Sequence, residues 1–458
     1  MQERTAIPDS KINSDLLRGL LGTPMWWWVA VIVLALIVGA GVASVAITFN
    51  MGLGLWEIHR PIMWGIMIVN FVFWIGISHA GVMISAILRL SYAEWRRPVT
   101  RAAEILTVFS LMIAMVHPLI HAGRPWRLAY WFLPYDFPRG IWPSIRSPAV
   151  WDPSAIFTYL TGSSLFVLIA LIPDMAVARD RTTGWRHYLY SVASLGFRGT
   201  PRQWKLQTIA GILLSGLLLP VFVSVHSIVS WDFATMVSVG GWHATIFAPY
   251  FVIGAVLSGV SAVVTVMALM RWLFHWEDYI RPEHFDALGR LLIAIAMGWL
   301  FFFVLEFFVA IYTKEPAELA LREMQLFQWP YNVLFTIFIF AALIIPVPIW
   351  VSRKMRRNIT VMFITSILVN VGMWLERFII IIPSLARKQD LTFVWSTYHP
   401  SIFEISIVAA SFALVGLLLL LFSKVFPLMP LFEQKEGQRF AAQIRVGRRS
   451  IPGVVREE

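Results

Sequence analysis

The chain is 458 residues long, 58% hydrophobic and only 14% charged, with a mean hydropathy of +0.72 and a formal net charge of +11. That balance excludes a water-soluble globular protein, because repeated apolar runs of about 20 residues are what a bilayer core of ~30 Å demands. The lack of any cysteine excludes disulfides, thiolate-held iron–sulfur clusters and thioether-anchored haem in this chain, so a cofactor of that kind must lie in a partner.

In chain order, residues 1–23 form a polar N-terminal segment, too polar and too long to be a cleaved signal peptide, so the first helix is expected to stay. Apolar runs of spanning length follow at 24–49, 62–90, 99–120, 153–178, 204–228, 242–273, 285–312, 329–352, 358–386 and 402–428. Lys and Arg concentrate before run 1 and after runs 2, 4, 6, 8 and 10, rather than in one nucleic-acid-binding patch. By the positive-inside rule both termini are then cytoplasmic, in a bacterial inner membrane, and the loop over 121–152 faces outward to the periplasm. Residues 429–458 read as a basic, solvated tail or docking arm.

An internal echo sets the expected architecture. At an offset of 178, Trp64, Ile68, Phe73, Ile75, Gly76, Gly81 and Val82 match Trp242, Ile246, Phe251, Ile253, Gly254, Gly259 and Val260. The offset covers four spans, so the copies have the same orientation. The fold expected is an all-α polytopic membrane protein with ten transmembrane helices. Two parallel-repeat four-helix bundles lie over 62–228 and 242–386, with peripheral helices over 24–61 and 402–428.

Ionisable side chains within spans are costly unless paired or wet, so each is a functional candidate. Several converge on the outer ends: His117 and His121 close span 3, Asp152 opens span 4, His226 and Asp232 close span 5, and His243 opens span 6. Bland readings stand beside these, a satisfied interfacial histidine in each case and, for Asp152-Pro153, the N-cap and first-turn proline of span 4. Deeper lie His79, Glu104 and Asp174, readable either as a polar track or as helix-to-helix glue. Glu306, Glu376 and Arg377 are intramembrane in the second bundle. Neighbours on a helix do not face each other, so Arg377 is expected to pair elsewhere, with Glu306 the candidate. Glu404 receives no role.

Other chemistries fit less well. Only span 3 carries two histidines, four apart, which does not suit bis-histidine haem in a bundle. No phosphate-cradling glycine loop or H-E-x-x-H zinc motif is present, and no metal site is expected. A secondary transporter is the alternative class, but Pro173 and Pro346-Val347-Pro348 sit near span ends and read as helix termination rather than as a midplane break.

The outward HPLIHAGRPWR segment, the aromatic loop to WDPSAIFTYL, VHSIVSWDFA and GWHATIFAPYFVIGA together resemble the NrfD/polysulfide-reductase membrane subunits. Within that family they look most like the quinol-binding membrane subunit of alternative complex III. The resemblance implies a quinol:electron-acceptor oxidoreductase subunit whose pocket lies in the first bundle near the periplasmic face, binding menaquinol or ubiquinol. It implies His121 and Asp152 as the catalytic pair, with His226 and Asp232 beside them. His117, Trp126, Tyr130 and Trp131 are the further candidates for lining the pocket, and His79, Glu104, Asp174, Glu306, Glu376 and Arg377 for a proton path. The partners implied are an iron–sulfur subunit, a homologous NrfD-like membrane subunit and multihaem cytochrome c subunits, in a lipid bilayer. The sister subunit, which lacks a competent pocket, is a further alternative.

Overall fold

In the computed structural model the described residues are 7–59, 61–91, 93–127, 137–142, 148–237, 239–387, 398–439, 441–446 and 449–454. Among them are ten helices long and apolar enough to cross a membrane: Met25–Met51, Ile66–Leu90, Thr100–His121, Val150–Arg179, Pro201–Val237, Phe247–Phe274, Pro282–Thr313, Tyr331–Val351, Ile359–Ala386 and Ile402–Val425, here spans 1 to 10. Helices are the form such segments take because lipid offers no partner for a free backbone group. The polar ends are closed locally, by a Thr200/Gln203 capping box on span 5, by the side chain of Asn358 accepting from Val361 N on span 9, and by a Ser401/Glu404 box on span 10.

Spans 2, 3, 4 and 5 pack in succession, and spans 6, 7, 8 and 9 pack around span 6 and span 9, while spans 1 and 10 lie along each other. Span 2 is the most enclosed helix and span 1 the least. Spans 2 and 6 meet back to back, and of the residues matched at the offset of 178 Trp64, Gly76, Trp242 and Gly259 lie in that contact. Trp64 stacks on Trp242 with ring centroids 5.9 Å apart and planes 12° apart. At Gly259 a Cβ would sit 2.9 Å from Ala80 N and 3.1 Å from Ile77 O, so only glycine admits this approach. Gly259→Leu is expected to lower the thermal unfolding midpoint of the purified protein by an amount corresponding to about 1–3 kcal/mol of overpacking, and an unchanged midpoint would place the spans further apart than described.

Three sequence expectations change here. Span 4 starts at Pro148, so Asp152 and Pro153 lie inside the helix, and Asp152 is not its N-cap. The helix also continues past Pro173 to Arg179, so that proline does not terminate it. Span 8 takes up its prolines with a π turn at Phe340–Ile344 and continues as helix over Pro346–Val351. Two further π turns, Val82–Ile87 and Phe233–Val237, fall in spans 2 and 5. Such turns re-aim side chains and recur at functional sites.

The C-terminal segment docks rather than floats. A helix over Leu431–Arg439 precedes an antiparallel hairpin, Ala441–Val446 with Arg449–Val454. Glu433 accepts from Arg96 at 3.0 Å and from Arg89 at 3.1 Å, Glu436 accepts from Arg97 at 2.8 Å, and Phe432 stacks on Trp204 at 3.8 Å. Burial alone would raise the Glu433 carboxyl, but the guanidiniums of Arg96, Arg89 and Arg97 override it and hold it at about 2, against an ordinary 4.5. A depressed carboxyl stabilises the docked state above pH 4.5, and that contribution is lost as the pH falls through about 2. Limited proteolysis of the tail should therefore accelerate on acidification across that window, and less so in Glu433→Gln, which has already lost the charge.

Candidate functional site

Two ends of the molecule carry the ionisable groups. At one end spans 3, 4 and 5 carry His117, His121, Asp152, His226 and Asp232, all buried or nearly so. Asp152 and Asp232 face one another closely enough for their carboxyls to interact directly. Oδ1 of Asp152 and both oxygens of Asp232 nevertheless lack a hydrogen-bond partner in the protein, as do Nδ1 of His121 and both ring nitrogens of His226. Buried polar atoms are nearly always satisfied, and leaving one without a partner costs on the order of 1–3 kcal/mol. Six such atoms lie on four side chains of spans 3, 4 and 5, and a hydrogen-bonding group from outside the chain would satisfy them.

The two histidines of span 3 differ in kind. His117 Nδ1 donates to Ile113 O at 2.8 Å, which fixes the tautomer, and Nε2 accepts from Asn70 Nδ2 at 2.9 Å. Asn70 also donates to Ser411 Oγ at 2.9 Å, as does Trp74 Nε1. His117 is thus committed to the protein on both nitrogens, joining spans 2, 3 and 10. His121 is not. Its ring lies 5.8 Å from that of Trp56, and among the described residues no hydrogen bond or ion pair joins it to Asp152. Trp126 is 69% exposed. Tyr130 and Trp131 lie outside the described residues.

Beneath this group His226 and His79 stand edge to face with centroids 4.7 Å apart, both fully buried. His79 presents Nδ1 to Ile75 O at 2.8 Å and Nε2 to Phe222 O at 3.1 Å. A neutral imidazole donates to one of these carbonyls and a protonated one to both. Further along span 3, Thr107 bridges Gly81 N and Ser78 O, each at 2.7 Å. A cavity of about 10 Å³, room for about one water, is lined by Thr107, Ser163 and Glu104.

At the opposite end Glu104 accepts from Ser85 and lies 3.6 Å from Arg101, which donates to Asp174 at 2.9 Å. The other oxygen of Asp174 accepts from Phe432 N of the docked tail at 3.0 Å. Glu104 and Asp174 therefore share one buried guanidinium.

In spans 6 to 9 the expected Arg377–Glu306 pair is not formed. Arg377 donates to its neighbour Glu376, with its guanidinium 4.9 Å over Phe251, and Glu306 accepts from Arg322 at 2.7 Å. A buried guanidinium needs a counter-charge, and two long side chains can curl together where short neighbours could not. Glu376 also accepts from Tyr250 and from Trp299 at 2.8 Å. A cavity of about 30 Å³ lies between Glu306, Arg322, Gln325, Tyr250 and Glu376. Among the described residues no group of three or more His, Asp or Glu could hold a metal ion.

Sequence reasoning missed Asn70, Ser411, Arg101 and Trp56. Asn70 was discoverable, because an asparagine inside an apolar run is itself a signal of helix-to-helix bonding.

A family model described as polysulphide reductase, NrfD, matches residues 54–388. A protein of Halobacterium salinarum, named as a candidate membrane subunit of a dimethyl sulfoxide reductase, is 26% identical over 244 residues, 53% of this chain and 51% of that protein. A selenate reductase subunit of Mesobacillus selenatarsenatis is 23% identical over 420 residues, 88% of this chain and 94% of its own length. The match thus spans about half the length of the first relative and nearly all of the second. On the match over 54–388, the chain belongs to the polysulphide reductase NrfD family of membrane proteins.

Proposed function

We propose that this chain is the quinol-oxidising membrane subunit of a respiratory oxidoreductase, of the alternative complex III type. The observation that carries the reading is the set of buried polar atoms without a protein partner on His121, Asp152, Asp232 and His226. A hydroquinone fits that chemistry, because its two hydroxyls are donors and its oxidation releases two protons and two electrons. His121 accepts the proton of one hydroxyl through an unpartnered ring nitrogen. Asp152 accepts the other, and the facing Asp232 lets the carboxyl pair hold a proton between them. The electrons leave to an iron–sulfur partner docked on the same face, since this chain has no cysteine for a cluster. His117, tied to Asn70 and Ile113, holds span 3 in place beside the pocket.

The predominance of Lys and Arg at the tail end supports a bacterial inner membrane with both termini cytoplasmic and the His121 end facing the periplasm. The assembly proposed is completed by a homologous membrane protein and by multihaem cytochromes of the c type. His226, His79, the Thr107–Ser163 cavity, Glu104 and Asp174 mark a proton path from the pocket toward the tail end. Glu306, Glu376 and Arg377, around the 30 Å³ cavity, mark a second in the other bundle.

The experiment is quinol-dependent reduction of the partner's clusters, followed by electron paramagnetic resonance in the purified complex. Reduction by a menaquinol or ubiquinol analogue is expected. Cluster reduction that ignores quinol and follows another donor would overturn the reading.

A further inference from the structure

The connection between spans 1 and 2 touches the site, and sequence reasoning gave it no part. Trp56 is 3% exposed and its ring faces that of His121 at 5.8 Å and 39°. It packs with Met67, Ile120 and Ile407, against Leu53, Val45 and Phe403. Its Nε1 donates to Thr48 Oγ1 of span 1 at 3.3 Å, so the indole is held at its polar edge as well as its apolar face. Leu53 fills the space above Gly123. That glycine has φ +64°, and a Cβ there would sit 2.6 Å from Leu53 Cγ. The connection therefore contacts span 3 and its cap on both sides of His121.

Glu404, fully buried at the start of span 10, fixes this connection at two points. Oε2 accepts from Glu57 N at 3.3 Å, next to Trp56, and from Ser401 N at 3.0 Å. Oε1 accepts from Tyr398 OH at 2.5 Å, and that hydroxyl accepts from Ile66 N at 2.9 Å, where span 2 begins. An N3 carboxylate in a capping box has only to reach back to its own N-cap. The bonds to Glu57 and, through Tyr398, to Ile66 go beyond capping and tie span 10 to the segment carrying Trp56.

His121 also lacks the bond that orients His117, since its Nδ1 has no protein partner. Packing must then set the ring, and among the described residues Trp56 is the aromatic side chain against it. We propose that Trp56 is a positioning residue for His121, locked in place by Glu404 through the span 1–2 connection, so that the helices outside the two bundles set the geometry of the site. This deepens the quinol reading and rests on it.

The test uses the purified complex with Trp56→Leu, Trp56→Phe and Glu404→Gln, beside His121→Ala. One readout is independent of activity: the rate at which diethyl pyrocarbonate modifies His121, followed by mass spectrometry. The other is kcat and KM for a quinol analogue, per assembled complex. Trp56→Leu and Glu404→Gln are expected to speed modification several-fold and to lower kcat on the order of tenfold, with KM little changed, because a misaimed base weakens the transition state more than binding. Trp56→Phe, which keeps a ring, should restore most of both. Unchanged modification and kcat in Glu404→Gln would overturn the proposal even if Trp56→Leu failed to assemble. If His121→Ala turned over quinol normally, the quinol reading itself would fall, and this proposal with it.

Discussion

Quinol turnover is expected to fall by about 10²–10⁴-fold in His121→Ala, the range over which a positioned general base acts, while the complex is expected to assemble and to keep its partner's cofactors. The reason lies in the contrast within span 3. His117 makes hydrogen bonds on both nitrogens, so its loss takes from Asn70 one of its two acceptors and costs stability. His121 has an unpartnered Nδ1, so its loss removes an acceptor and little else. His117→Ala is therefore expected to lower the unfolding midpoint more than His121→Ala, with the order reversed for turnover per assembled complex. Thermal unfolding and quinol kinetics on the same preparations decide it. Normal turnover in His121→Ala would remove this histidine from the chemistry.

Much of the architecture was legible because the bilayer imposes it. Ten apolar runs became ten spanning helices, since length and hydropathy leave few alternatives. Their ends were harder to read. Span 5 runs past 228 to Val237 because SWDFATMV, polar enough to resemble a loop, continues as helix with a π turn after Asp232. The start of span 4 was hidden in the same way, since Asp152-Pro153 imitates a cap while Pro148, itself a good first helical residue, lies just before it.

Pairings between distant segments were not legible at all. Nothing local says that Glu433 will meet Arg89 and Arg96, or that Asp174 will accept a bond from Phe432. Trp56 was hidden by the company it keeps, because a tryptophan at a span end ordinarily belongs to the aromatic belt. What separates it from Trp126 is burial against His121, which only the fold supplies.

The largest loss of stability is expected from Arg101→Ala. Arg101 is buried, as are Asp174 at 2.9 Å and Glu104 at 3.6 Å, and its Nη1 reaches Pro427 O of the docked tail at 3.4 Å. Removing the guanidinium leaves two carboxylates without their cation, and breaking a buried pair in this way costs roughly 3–5 kcal/mol. It also loosens the 427–439 segment, so proteolysis of the tail should speed up alongside the drop in the unfolding midpoint. Arg101→Met combined with Asp174→Asn should recover part of the loss, because the charge goes with its partner and only Glu104 is left exposed to the change. Asp174→Asn alone separates stability from proton movement. If the track from His226 through His79 and Glu104 carries protons to the tail end, this variant lowers the proton-to-electron ratio measured in vesicles while quinol oxidation continues. A ratio equal to wild type would leave Arg101, Glu104 and Asp174 as the anchor of the tail and send the site's protons out at the His121 end.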